Sequence, residues 1–276
     1  MKIIIADKAG FCFGVKRAVD MAINYTESHD SLISLGQLIH NDQVTNRLEK
    51  NGLVKVDNLE GLKDKTVLIR SHGVGKDIYE KSEAQNLEML DATCPFVKKV
   101  HRIVHDYHDK GYKIIIVGNK DHPEIIGING WCKNEALIVS DENELPVLDK
   151  GPYCLVAQTT LKLSVWNGLV DKVKSFDVEA EFFNTICSAT AERQRAAMAL
   201  APKVDLMIVI GGYHSSNTRK LYEICSTLCE ETLHVEKKSD LVMTNLDKYV
   251  MIGITAGAST PDWVIEEIVD HLKAMQ

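Results

Sequence analysis

A chain of 276 residues, 45% hydrophobic and 26% charged, can bury a substantial core, and its length suits about two ordinary domains. Its formal charge of −7 excludes a general nucleic-acid binder, which needs a basic footprint for phosphate contacts, but allows a small anionic ligand held by local donors. The opening MKIIIADKAG is too short in apolar residues for a signal peptide, and no run approaches the roughly 18 residues of a spanning helix, so a cytoplasmic protein without a membrane partner is expected.

In chain order, Cys12 precedes Val15, Ala18, Val19, Ala22 and Ile23 at helical spacing, then the strand-like SLISL closed by Gly36, then a polar loop with His40. TVLIRSHGV supplies a second strand and a loop with His72. Cys94 then opens a helical pattern through Val97, Val100, Val104 and Tyr107, followed by KIIIV and Gly118. The next loop, NKDHPEIIG at 119–127, carries His122 and Glu124, and YCLVAQTT ends in Thr159 and Thr160. Cys187 leads the alanine-rich, helix-prone SATAERQRAAMALA, then LMIVI, Gly211 and the loop GGYHSSNT with His214, Ser215, Ser216 and Asn217. YVMIGITAGAST closes the series with Ser259 and Thr260.

Each of the three cysteines stands 24 residues before its glycine, and histidines follow at 28, 28 and 27 residues, as His40, His122 and His214. A period this long marks a repeated supersecondary unit. The expected fold is α/β: three pseudo-threefold-related lobes, at 1–94 with Cys12, His40 and His72, at 95–187 with His122, Glu124 and Thr159, and at 188–276 with Ser215, Asn217 and Ser259. Short β-branched runs alternating with helices predict parallel sheets, with functional loops at the carboxyl ends of strands. With a common axis, those loops face one central cavity.

Seven cysteines in a reducing compartment, an odd number, do not make a disulfide framework. A cysteine at a helix start gains from the dipole and unpaired N–H groups, which favour thiolate. Three such thiolates form a tripod. A structural zinc would ask for a fourth protein ligand, whereas a cubane iron-sulfur cluster accepts three cysteines and leaves one iron open. Cys132, Cys154, Cys225 and Cys229 keep no common spacing and are expected in cores. Glu124, in the histidine loop of the second unit, is the candidate general acid, because a closed, water-poor cavity favours its protonated form. GGYHSSNT and AGAST offer hydroxyl, amide and backbone donors for phosphate oxygens. SHGVGK at 71–76 lacks the first glycine of a Walker loop, whose place is Arg70.

GFCFGVKRAV, the HN at 40–41, SHGV, DATCPFV, DHPE, QTT, CSAT with ERQ, SSNT and AGAST, in this order, resemble the family of 4-hydroxy-3-methylbut-2-enyl diphosphate reductases, also called LytB. The resemblance spans essentially the whole chain. It implies a trefoil-like arrangement of three α/β lobes around one 4Fe-4S cluster held by Cys12, Cys94 and Cys187, its fourth iron open to substrate. It implies an allylic diphosphate surrounded by His40, His72, His122, Ser215, Ser216, Asn217 and Ser259, and a proton relay through Glu124 and Thr159. The reaction implied is reductive dehydroxylation in the non-mevalonate isoprenoid pathway, supplied with electrons by a ferredoxin or flavodoxin type partner. A redox-inactive iron-sulfur hydro-lyase and a non-catalytic zinc domain or cluster sensor share the tripod; the first needs no electron donor and the second no proton donor.

Overall fold

The computed structural model describes residues 1–241 and 248–275. Among them the strands form three parallel sheets of four strands, and the chain divides into two compact units. The larger unit comprises residues 17–38 and 48–187 and holds two of the sheets; the smaller comprises 1–16, 39–47 and 188–276 and holds the third.

In the larger unit one sheet has the order β3 (Leu53–Val56), β2 (Leu32–Leu35), β4 (Thr66–Ile69), β5 (Glu88–Asp91). The other repeats that order four strands later, as β7 (Leu137–Val139), β6 (Lys113–Val117), β8 (Tyr153–Ala157), β9 (Ala180–Phe183). The inner strands YCLVA and, after its exposed Lys113, KIIIV are buried runs because both of their faces are covered. Alternate residues divide between the faces. Ile115 and Val117 join Trp166, Leu169 and Val173 of α6 (Leu163–Lys174), while Ile114 and Ile116 join Val100 and Val104 of α4 (Pro95–Asp109) and Ile125 and Ile128 of α5 (Pro123–Asn129). Each such side chain contributes about 1.5–3 kcal/mol by leaving water. On the first sheet, Val67 and Ile69 pack with Ile78 and Tyr79 of α3 (Lys76–Ala84).

The smaller unit keeps the same order, as β11 (Thr232–Val235), β10 (Leu206–Ile210), β12 (Met251–Ala256), β1 (Lys2–Ile5). Its fourth strand comes from the other end of the chain, Lys2 pairing with Met251 and Ile5 with Ile254. Leu206, Ile208 and Ile210 pack with α9 (Asp262–Ala274); Met207 and Val209 pack with Ala197 of α7 (Ser188–Leu200) and Leu221 of α8 (Ser216–Ser226).

Each expected cysteine, helix, strand series is present, the first through α1 (Phe13–Thr26) into β2, the others through α4 into β6 and α7 into β10. The repeat extends to individual hydrogen bonds. Gly36, Gly118 and Gly211 each donate their N–H to the last residue of the neighbouring outer strand, Val56, Val139 and Val235, at 2.7, 2.8 and 2.9 Å. Two of these glycines leave the strand with positive φ, +74° at Gly36 and +144° at Gly211. Gly118 is small for another reason: a Cβ there would lie 2.8 Å from both the Gln158 Oε1 and the Ile125 Cδ1. The outer strands, only three or four residues long and partly exposed, carry too little pattern to be predicted from sequence.

Candidate active site

Every thiol of the proposed tripod stands at one station of the repeat: after the fourth strand of a sheet and directly before, or capping, a long helix. The backbone fixes that station identically three times. Cys94 donates its N–H to Ser71 O at 3.0 Å and Cys187 to Thr159 O at 3.0 Å in the larger unit, and Cys12 donates to Ala258 O at 3.1 Å in the smaller one. The acceptors are all the second residue after an inner strand, each the second residue of a turn closed by Gly73 N–H to Arg70 O, Leu161 N–H to Gln158 O and Thr260 N–H to Gly257 O. Cys94 is the N-cap of α4 yet makes no side-chain cap, and Pro95 at the first helical position needs no partner for an N–H. Its thiol is therefore not spent on its own helix.

Burial separates the cysteines into two chemical classes. Cys12, Cys94 and Cys187 are partly exposed, whereas Cys132, Cys154, Cys225 and Cys229 are buried. Burial pushes Cys132 up to about 11 and Cys154 and Cys225 up to about 12, which keeps them as thiols. Cys132 donates to Asn129 O and Cys229 to Glu231 O, both at 3.2 Å. Three accessible thiols at equivalent helix starts fit a ligand set of three, and the buried four do not compete for it.

The larger unit also holds His72, His122, Glu124 and Thr159. His122 caps α5: its Nδ1 accepts the Glu124 N–H at 3.1 Å, so in the neutral ring Nε2 carries the hydrogen. Pro123 follows at the first helical position, and Glu124 thereby turns inward, only 2% exposed. Its carboxyl takes two donors from one residue, the Thr159 N–H on Oε1 at 2.6 Å and the Thr159 hydroxyl on Oε2 at 2.7 Å. The adjacent Thr160 is half-buried and makes neither bond. The rings of His72 and His122 meet edge to face, centroids 5.3 Å apart. Both loops are held by backbone contact. A Cβ on Gly127 would lie 3.3 Å from Gly73 C and O, one on Gly130 would lie 2.5 Å from Gly75 Cα, and Trp131 Nε1 donates to Val74 O at 3.0 Å.

In the smaller unit Ser215 caps α8, accepting the Thr218 N–H at 3.3 Å, and Ser216 and Asn217 follow in the first turn, all buried. Both polar atoms of the Asn217 amide are buried without a hydrogen-bond partner among the described residues, an arrangement that costs about 1–3 kcal/mol per orphaned group unless a bound group satisfies it. Ser259 donates to His40 O at 3.0 Å, and a Cβ on Gly212 would lie 2.8 Å from the same carbonyl, so the His40 backbone is pressed against the GG turn.

The structure shifts two sequence correspondences, in the third and first repeats. His214 is exposed, and the residue that matches His122 as helix cap is Ser215; in the first repeat that cap is Asn41, whose Oδ1 accepts the Val44 N–H at 3.1 Å. Gln158, absent from the predicted set, is buried beside Gly118, and its Oε1 accepts the Asn119 N–H at 3.2 Å. Gly127 and Gly130 lie outside that set too. None of these three had a sequence signal beyond residue type.

Comparison with known proteins adds the family. The LytB protein family matches residues 3–273. A 4-hydroxy-3-methylbut-2-enyl diphosphate reductase of Alkaliphilus oremlandii is 48% identical over 99% of this chain and 99% of its own, and the enzyme of that name from Clostridioides difficile gives the same figures. A solved reductase described as the terminal enzyme of the non-mevalonate pathway is 40% identical, with a TM-score of 0.73, over 99% of this chain and 100% of that one. The Plasmodium falciparum reductase structure, 30% identical, has a TM-score of 0.89 over 98% of this chain and 87% of that one. Matched by the family over residues 3–273 and 48% identical over full length to such reductases, the chain belongs to the LytB family.

Proposed function

We propose that the chain is a reductase that converts (E)-4-hydroxy-3-methylbut-2-enyl diphosphate to isopentenyl diphosphate and dimethylallyl diphosphate. Each turnover consumes two electrons and two protons, breaks the allylic C–O bond, forms one C–H bond and releases water. The observation that carries this reading is the threefold backbone station that leaves Cys12, Cys94 and Cys187, and no other cysteine, partly exposed.

These three cysteines would hold a 4Fe-4S cluster with one iron free of protein ligand. Such a cluster supplies electrons and a Lewis acid for the hydroxyl oxygen. The protein supplies the remaining chemistry. Hydroxide leaves poorly, so a proton must reach the departing oxygen, and Glu124 with the Thr159 hydroxyl is a ready two-member path at 2.7 Å. His122, with Nδ1 engaged by its helix, presents Nε2–H as a donor. The N-terminus of α8, with Ser215, Ser216 and the unsatisfied Asn217 amide, suits an anionic diphosphate oxygen. His40, His72 and Ser259 complete the diphosphate donors, all uncharged or titratable. That donor set explains how a chain of net charge −7 binds a diphosphate without a lysine cluster.

The test is anaerobic reconstitution with iron and sulfide counts, then reduction of the allylic diphosphate by dithionite-reduced methyl viologen. Glu124→Gln should keep the cluster and bind substrate while losing about 10²–10⁴-fold in turnover. Wild-type rates in that variant would remove the relay, and conversion without any reductant would replace the reductase with a hydro-lyase.

A further inference from the structure

Helix α4 begins with charges of the wrong sign. Its first turn contains no acidic residue, and Lys98 and Lys99 stand where the helix dipole already presents positive charge. Lys98 is partly compensated by Asp91, at 2.6 Å. Lys99 and Arg102, both exposed, have no ion pair among the described residues. Arg17 adds its guanidinium at the same end of the helix, donating to Thr93 O at 3.3 Å and Asp91 O at 3.2 Å. Beside these cations Phe96 is 42% exposed, three residues before Lys99 and therefore its neighbour on the helix surface. Asp106, one turn beyond Arg102, is the acid on this face.

A basic patch around an exposed aromatic ring is unexpected on a chain of charge −7, and its placement is specific. Lys99 and Arg102 lie five and eight residues past Cys94, about 8 and 12 Å along the helix axis, and the patch starts at the residues flanking that partly exposed thiol. Unpaired cations with a central aromatic anchor match an acidic protein partner: the charges steer the encounter and the ring anchors it. We infer that the face of α4 formed by Phe96, Lys99 and Arg102 is the docking surface for an acidic one-electron carrier protein. The inference rests on the reductase reading: the carrier is oxidised twice per turnover and delivers its electrons beside Cys94.

The experiment uses the reconstituted holoenzyme with two electron sources, an acidic 4Fe-4S ferredoxin and reduced methyl viologen. In K99E/R102E and in Phe96→Ala, the KM for ferredoxin should rise at least tenfold at low salt, with viologen-driven turnover and substrate KM unchanged. Wild-type ferredoxin-driven rates should fall steeply with added salt, and the charge-reversed variant should lose that dependence. Lys50→Glu, an exposed charge change at the end of α2 (Asp42–Lys50), should leave both assays unaltered. An unchanged ferredoxin KM in K99E/R102E, or equal loss in both assays, overturns the docking surface. Failure of viologen-driven turnover in the wild type overturns the reductase reading itself.

Discussion

Gly130→Ala tests whether backbone contact between two loops sets the catalytic geometry. A Cβ at residue 130 would lie 2.5 Å from Gly75 Cα and 3.6 Å from its N and C atoms. Apolar carbons rest at about 3.5–4.0 Å, so the two backbones must part by roughly 1 Å. Overpacking of this size costs about 1–3 kcal/mol, equivalent to a fall in Tm of about 3–8 °C. A catalytic effect should accompany the stability effect. Gly75 follows His72 by three residues, Gly130 follows Glu124 by six, and the Trp131 bond to Val74 O couples the two stretches. If His72 binds substrate and Glu124 donates the proton, as proposed, a displacement near 1 Å between them costs about 10²-fold. Anaerobic viologen-driven kinetics at equal iron content should therefore show kcat/KM reduced by about ten- to a hundredfold, with a measurable Tm shift. Gly168→Ala in α6 is the control: its new methyl meets only the flexible Glu142 carboxylate, and the helix gains about 1 kcal/mol at most. Wild-type kcat/KM in Gly130→Ala would refute the claim that this contact positions His72 against Glu124.

His101 predicts an acid-sensitive stability. Buried against Trp131 with ring centroids 5.2 Å apart, it is pushed by burial from 6.5 down to about 4. The unfolded chain therefore takes up the proton first. Stability is full above pH 6.5 and falls as pH drops toward 4, by about 3 kcal/mol from this group. Anaerobic melts from pH 7 to 4.5 should show a shallower loss in His101→Gln; identical slopes would disprove the assignment. Among the cysteines, Cys94→Ser should lower bound iron, whereas Cys225→Ser should cost stability by about 1–3 kcal/mol with iron unchanged, since it places a hydroxyl in an apolar core. Equal loss of iron in both would defeat the tripod.

The inner architecture was legible because burial writes itself into residue type. IIIV at 114–117, YCLVA and LMIVI are buried on both sides and are built from apolar and aromatic residues, and each ends at a glycine or a polar turn. The cysteine stations were legible through spacing, since helix and strand lengths repeat. Counting to the nearest histidine misaligned the first and third repeats by one residue, because the shared physical feature is a helix cap that asparagine, histidine or serine can each supply. Gln158, Gly127 and Gly130 were illegible for a different reason: their roles arise from close approach between segments distant in sequence, which no local pattern records.

The pairing of β1 with β12 has a consequence for biosynthesis. Residues 6–250 must be made between the two partners, and at about 5–20 residues per second the first strand waits roughly 12–50 s for its neighbour. The Cys12 N–H waits longer still, for the carbonyl of Ala258. The thiol nearest the start of the chain is thus the last to be fixed in place, whereas Ser71 and Thr159 precede their cysteines and are ready when those emerge. Nascent chains still on the ribosome carry two finished stations and one loose strand of sequence KIII. The third station forms only once residue 258 has emerged, and the growing chain must keep an unpaired apolar segment from aggregating until then.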